Sequence, residues 1–242
     1  MIFTDSKVVV VGGSSGIGLG VAEAALAEGA AVVIAGRSAA KLEAATKAMG
    51  KPARLTAIAV DVTDEDSIRQ LFDRVGSFDH LVVTRGVVPV GAPVAELDIG
   101  AVRSFVDTML VSAFTLAKHG KGGIAGDGSI TFTSGISKDK PGVPGGAVVA
   151  AVAGSFDYMV RALALELAPV RVNVVSPGWV KTPMWEEIAG PAKDAMWADM
   201  AARLPVGRIA TPADIAATYL HVMGSAFTTG TTVHVDGGHA LL

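Results

Sequence analysis

Residues 8–26, VVVVGGSSGIGLGVAEAAL, decide the fold. Val8 to Val11 are β-branched residues in a row, the pattern of a short strand buried on both faces. Gly12, Gly13, Gly16 and Gly18 then turn the chain, and an Ala-rich helical pattern follows. Strand, glycine turn and helix in that order make an anion cradle. Free backbone N–H groups at the helix N-terminus, with the positive end of its dipole, supply donors, and glycine lets a pyrophosphate approach with no Cβ in the way. Ser14, Ser15 and Ile17 complete this candidate dinucleotide site. A tight strand-to-helix turn that binds nothing would use glycine too; the flanking strand and helix weigh toward binding.

Working outward, the 242 residues are the size of one α/β domain, residues 1–242, with ample material for a core. Twenty Lys and Arg stand against 23 Asp and Glu, a net charge of −3 with no basic block, so no nucleic-acid partner and no acidic membrane surface are expected. Hydrophobic residues make up 50% and the mean hydropathy is +0.49, yet no uninterrupted apolar run approaches the roughly 18 residues of a membrane helix. A soluble protein is expected. The chain has no cysteine, which excludes disulfides, thiolate catalysis and Cys-ligated zinc. Its five histidines, at 80, 119, 221, 234 and 239, follow no metal-ligating spacing, so no metal site is assigned. MIFTDSK enters the first strand with no charged n-region and apolar h-region, and the expected location is cytoplasmic.

The spacing of the opening turn, Gly12 and three residues and then Gly16-Ile17-Gly18, resembles the G-x-x-x-G-x-G loop of the short-chain dehydrogenase/reductase family, where it holds the phosphates of NAD(P). Along the rest of the chain, strands are expected at 31–35, 54–60, 79–83, 129–133, 170–175 and 231–235. They alternate with helices at 39–49, 64–75, 101–118 and 146–167, and a last one begins at Thr211-Pro212-Ala213-Asp214. Short connections between alternating elements imply right-handed crossovers: a doubly wound (Rossmann) parallel sheet of seven strands in a single domain.

Just past the second strand, where doubly wound sheets meet the adenosine ribose, stand Gly36, Arg37 and Ser38. A guanidinium there offers a fork of donors to a 2′-phosphate, which indicates NADP(H); an exposed strand-end arginine is the alternative. Asp61 and Val62 end the third strand. Their match to the family's Asp-Val pair implies contact with adenine, and a turn or helix-capping acid is the other reading of Asp61. Of the family's Asn-Asn-Ala-Gly after the fourth strand, here Val83, Thr84, Arg85 and Gly86, only the glycine is kept: the resemblance implies that Gly86 lets the backbone approach the cofactor, and the amides that brace the central strands are gone. Arg85 then either reaches phosphate or an acidic substrate, or is a surface or internally paired charge. Met109 stands where the family places an asparagine in a proton relay; a thioether cannot do that work, and a core or interface role is expected. Ser176-Pro177-Gly178-Trp179-Val180-Lys181-Thr182-Pro183 matches the family's Pro-Gly loop, which implies that Pro177, Gly178, Val180 and Thr182 meet the cofactor.

The stretch from Thr131 to Leu167 departs from the family. Its chemistry needs a serine after the fifth strand and Tyr-x-x-x-Lys on the next helix, a phenol and an ammonium one turn apart. Anchored on ALALELAPVRVNVVSPG, the tyrosine position holds Val149 and the lysine position Ala153. The serine position falls at Gly135 or Ile136, leaving Ser134 as the one candidate catalytic residue, with a strand-end hydroxyl bonded to backbone as its alternative. The two tyrosines do not rescue the motif, because Ala162 follows Tyr158 by four, and Tyr158 lies half a turn out of phase with Val149 and should face away and pack, near a solvated or interface Arg161. Lys138 and Lys140, in a Lys-Asp-Lys run after Ser137, are expected in a solvated loop, a desolvated donor being the alternative.

Residues 184–204, with Trp185, Met196, Trp197 and Met200, are expected to cover the substrate, either lining an apolar pocket or packing as a helical pair. The resemblance implies an NADP(H)-dependent oxidoreductase acting on a small, apolar carbonyl compound or alcohol by an atypical proton path. The alternative is a non-catalytic NADP(H)-binding or partner-binding protein. A homodimer or homotetramer through helices 101–118 and 146–167, apolar over more than one face, is expected.

Overall fold

Val8 to Val11 divide their side chains between two cores, Val9 and Val11 on one face of the sheet and Val8 and Val10 on the other. That division organises the computed structural model, which describes residues 3–84, 86–142 and 145–242. In chain order the elements are β1 (Lys7–Val11), α1 (Gly16–Ala27), β2 (Ala31–Gly36), α2 (Ala39–Ala48), β3 (Leu55–Ala59), α3 (Glu65–Val75) and β4 (Phe78–Val83). There follow α4 (Ile99–Val106), α5 (Ser112–Gly120), β5 (Ile124–Thr133), α6 (Ala147–Glu166), β6 (Arg171–Pro177), α7 (Met184–Ala189), α8 (Lys193–Arg203), α9 (Pro212–Gly224) and β7 (Thr232–Val235).

The seven strands are parallel, in the order β3-β2-β1-β4-β5-β6-β7. Buried residues of α3, α4, α5 and α6 cover one face and those of α1, α2 and α9 the other. The doubly wound sheet read from the sequence is thus the observed one. Its order reverses between β1 and β4, and the crevice beyond the carboxyl ends of those strands is where such sheets take ligands.

Two expected elements differ. Helix 101–118 is broken by a wide turn at Asp107–Val111 that separates α4 from α5; Met109 lies in it and packs on the core beneath α6. The fifth strand, expected at 129–133, begins earlier, at Ile124, so the glycine-rich stretch KGGIAGDG (residues 121–128) is largely strand. Its glycines admit the neighbouring backbone: a Cβ on Gly128 would lie 2.2 Å from the Asp79 carbonyl oxygen, and the pairing of β4 with β5 shifts register between Phe78 and His80. By length and composition alone, the helical run 99–123 and α6 would span a bilayer; in the fold both contribute buried residues to the core on one face of the sheet.

Candidate active site

The opening turn leaves β1 with Gly12 at φ +91° and Gly16 at φ +53°, conformations that favour glycine. The other glycines answer to packing. A Cβ on Gly13 would stand 2.7 Å from Ile34 Cγ2, and one on Gly18 would stand 2.3 Å from both the Gly12 carbonyl oxygen and Thr84 Oγ1. The missing side chains thus let the protein close on itself, and the phosphate approach argued from the sequence concerns the turn between them. Ser15 caps α1 with extended backbone and makes no side-chain bond to the helix, so the first-turn N–H groups stay available as donors. This geometry fits the pyrophosphate of a dinucleotide.

Other expected contacts converge on the same edge. Arg37 is exposed at the end of β2, and Ser38 caps α2, its Oγ accepting from Lys41 N at 3.3 Å. Asp61 is a turn acid, with Oδ1 accepting from Thr63 N at 2.9 Å and Thr63 Oγ1 at 2.7 Å; the cap of α3 is Asp64. Those two bonds hold the Asp61 carboxyl below its ordinary range, and the positive charge of Arg37 adds to them. Val62 is half-buried against the core. Gly86 has open space around it, and Arg85 lies outside the described residues. In the 176–183 loop, Gly178 donates its N–H to Val235 O at 2.9 Å, and its missing Cβ gives room to Asp236, whose Cα would be 2.7 Å away. Pro177 ends β6, Val180 bridges to Ala210, and Thr182 lies against the glycine turn, its Cγ2 3.2 Å from where a Gly16 Cβ would be.

On α6 and in the segment after β5, the polar groups are already engaged. Ala153 is 8% exposed and Val149 half-buried, both apolar. Ser134 Oγ donates to the Ala153 carbonyl oxygen at 2.8 Å, so its hydroxyl ties β5 to α6, the backbone-bonded alternative weighed above. Lys138 corrects an expectation. Its side chain is 6% exposed, with Nζ 2.8 Å from Asp139 and 3.1 Å from Asp157 on α6; these carboxylates outweigh burial and raise its pKa. Local sequence gave no sign of Asp157. Lys140 Nζ donates to the Leu242 carbonyl oxygen. Tyr158 is 74% exposed on the far side of α6 with the Arg161 guanidinium 5.4 Å from its ring centre; it faces away as expected, but it does not pack into the core.

The family model described as enoyl-(acyl carrier protein) reductase matches residues 11–240. The short-chain dehydrogenase/reductase ATR9 of Stachybotrys chlorohalonatus is 35% identical over 96% of this chain and 96% of its own. The chain belongs to the short-chain dehydrogenase/reductase family. Among solved structures, the MalC reductase/Diels-Alderase of Malbranchea aurantiaca superposes with a TM-score of 0.92 at 28% identity, over 100% of this chain and 98% of the other. An NADPH-bound short-chain oxidoreductase of Pseudomonas aeruginosa, described as containing an atypical catalytic center, gives 0.89 at 30% identity over 98% and 97%.

Within this short-chain dehydrogenase/reductase fold, hydroxyls brace the central strands in place of the missing amides. Thr84 donates its N–H at 2.9 Å and its hydroxyl at 3.2 Å to Val11 O, joining β4 to β1. Thr133 Oγ1 donates to Val83 O at 2.6 Å, joining β5 to β4, and meets the buried Tyr219 hydroxyl at 2.5 Å. The one signal in the sequence was Tyr219 itself, a phenol on the apolar face of a helix, which needs a partner when buried. In and beside residues 184–204, Trp179 and Trp185 stack at 4.5 Å, Trp185 meets Trp197 edge-on at 6.5 Å, and Met200 and Leu204 close a small core of their own. The aromatic residues of 184–204 therefore pack as a helical pair.

Proposed function

We propose that this protein is a soluble, cytoplasmic, NADP(H)-dependent oxidoreductase of small molecules that works without the tyrosine–lysine pair of its family. One observation supports this reading: the turn into α1 leaves its N–H donors open and Arg37 is exposed after β2, while α6 carries Val149 and Ala153 at the positions of the family's tyrosine and lysine. Bound there, NADP(H) would supply or accept a hydride. The first turn of α1 would hold its pyrophosphate, Arg37 and Ser38 its 2′-phosphate, Asp61 and Val62 its adenine, and Gly86, Pro177, Gly178, Val180 and Thr182 its nicotinamide half. Residues 184–204 would cover a small apolar carbonyl compound or the matching alcohol. Without a positioned acid the rate falls by about 10²- to 10⁴-fold.

Support for a second copy of the chain comes from Val111 and Phe114, 50% and 48% exposed, and Leu165, 82% exposed; a homodimer or homotetramer would cover them. A non-catalytic NADP(H)-binding protein is the second reading. It is favoured by the engagement of Ser134 with Ala153 O and of Lys138 with its carboxylates. Fluorescence titration with NADPH and NADH, followed by NADPH consumption with a series of carbonyl compounds, separates the two. Tight NADPH binding with turnover supports the enzyme, binding without turnover supports the second reading, and no binding of either nucleotide refutes both.

A further inference from the structure

The hydroxyl chain beneath the crevice has a fixed direction. A carbonyl oxygen only accepts, so Thr133, with one hydroxyl proton, gives it to Val83 O. In the contact with Thr133, Tyr219 is therefore the donor, and the order is Tyr219 O–H to Thr133 Oγ1 and Thr133 O–H to Val83 O. Tyr219 is fully buried on α9, so its phenol meets no water and burial raises its pKa far above the ordinary value. Thr133 is half-buried at the carboxyl end of β5, one residue before Ser134, and Val83 is the last residue of β4. Thr84, the next residue, is bonded to Val11 O at the carboxyl end of β1, beside the crevice.

On the cofactor reading above, we propose that Tyr219 is a positioning residue for the nicotinamide half of NADP(H), acting through Thr133 on the end of β4. The phenol fixes the Thr133 rotamer, the Thr133 hydroxyl fixes the Val83 carbonyl, and the two set the position of Val83 and Thr84 where β4 opens on the crevice. This chain of hydroxyls takes the place of the amide brace that the Val83-Thr84 sequence lacks. The residues read as holding the adenosine half, Arg37, Ser38, Asp61 and Val62, follow β2 and β3, strands that this chain of hydroxyls does not touch.

The test measures dissociation constants of NADPH and of 2′,5′-ADP, which carries only the adenosine half, for the full chain and for Tyr219→Phe, Thr133→Val and the double variant. Both single changes keep the shape and remove a hydroxyl. Each single variant should weaken NADPH about tenfold, the effect of one lost hydrogen bond, leave 2′,5′-ADP unchanged, and blunt the shift of nicotinamide emission on binding. The double variant should lose no more than one of them, because the two hydroxyls act as a unit. Unchanged NADPH affinity in both single variants, an equal loss of 2′,5′-ADP affinity, or additive losses would overturn the proposal while leaving the cofactor reading intact. A parent protein that binds neither probe overturns both.

Discussion

Replacing Gly18 by alanine tests the cradle at its tightest point. The added Cβ would lie 2.3 Å from the Gly12 carbonyl oxygen and 2.3 Å from Thr84 Oγ1, against an ordinary contact that begins at 3.4 Å. Roughly 1 Å of movement is needed, and overpacking of that kind costs about 1–3 kcal/mol. Gly18 does not occupy the left-handed region, so the cost is steric and carries no backbone strain. In a chain of 242 residues each kcal/mol moves the midpoint by about 2–4 °C, so a fall of about 5 °C is expected. Movement of Gly12 also displaces the turn, and NADPH affinity should fall with stability. Thr84→Ala in the same background removes one clash and leaves the other, and so should restore part of the loss. Gly122→Ala, away from the site, is the control, with nothing within 4 Å of the new methyl. Thermal unfolding followed by circular dichroism, with NADPH fluorescence titration, gives both readouts. A Gly18→Ala protein that melts within 1 °C of the parent and binds NADPH equally well refutes the argument from packing.

Arg37→Ala should raise the Kd for NADPH about 10- to 100-fold and leave that for NADH unchanged, the loss of a charge-assisted contact to the 2′-phosphate; equal effects on both would refute the assignment. His80 is buried between Phe3 and Ser129, and burial, with the charge of Arg171, lowers its pKa from 6.5 to about 4. Because the unfolded chain binds that proton first, stability should fall by about 3 kcal/mol as pH drops from 6.5 to 4 and show no further His80 contribution below it. Urea midpoints across that window should flatten in His80→Gln, and an unchanged slope would exclude His80 as the source. Val149→Tyr with Ala153→Lys should increase NADPH-dependent carbonyl reduction by about 10²- to 10⁴-fold if the pair is what this site lacks, read from absorbance at the nicotinamide band.

What was legible in the sequence is what the backbone alone encodes. The run Val8–Val11 and the glycine turn announce a strand, a cradle and a helix within 20 residues, and a parallel sheet follows because each crossover repeats that pattern. What was hidden is carried by side chains distant in sequence. Lys138 looks like part of a charged loop because its neighbours are Asp139 and Lys140, whereas its second carboxylate, Asp157, sits nearly three turns into α6. The glycines of 122–128 look like a turn because local propensity says so; the Asp79 carbonyl that demands Gly128 belongs to another strand. Thr133 and Tyr219 are 86 residues apart, and no periodicity links them.

On the proposed reading, the same distinction explains why one half of the site survives beside an altered other half. The cradle depends on N–H groups and on close approaches that glycine permits, so it persists wherever β1, α1 and Thr84 keep their packing. The α6 wall depends on two side chains, and their replacement leaves few polar groups unmet: Val149 and Ala153 need no partners, and the one hydroxyl facing them, Ser134, bonds the helix backbone. A lysine returned to position 153 would enter a site that is 8% exposed, where an ammonium needs acceptors. The acceptor the structure offers is Ser134 Oγ, whose proton is committed to Ala153 O and whose lone pairs can still receive. Recovery of activity by the double replacement should therefore depend on Ser134. Adding Ser134→Ala to it should cost more stability than Ser134→Ala costs the parent protein, and equal costs would place the new ammonium elsewhere.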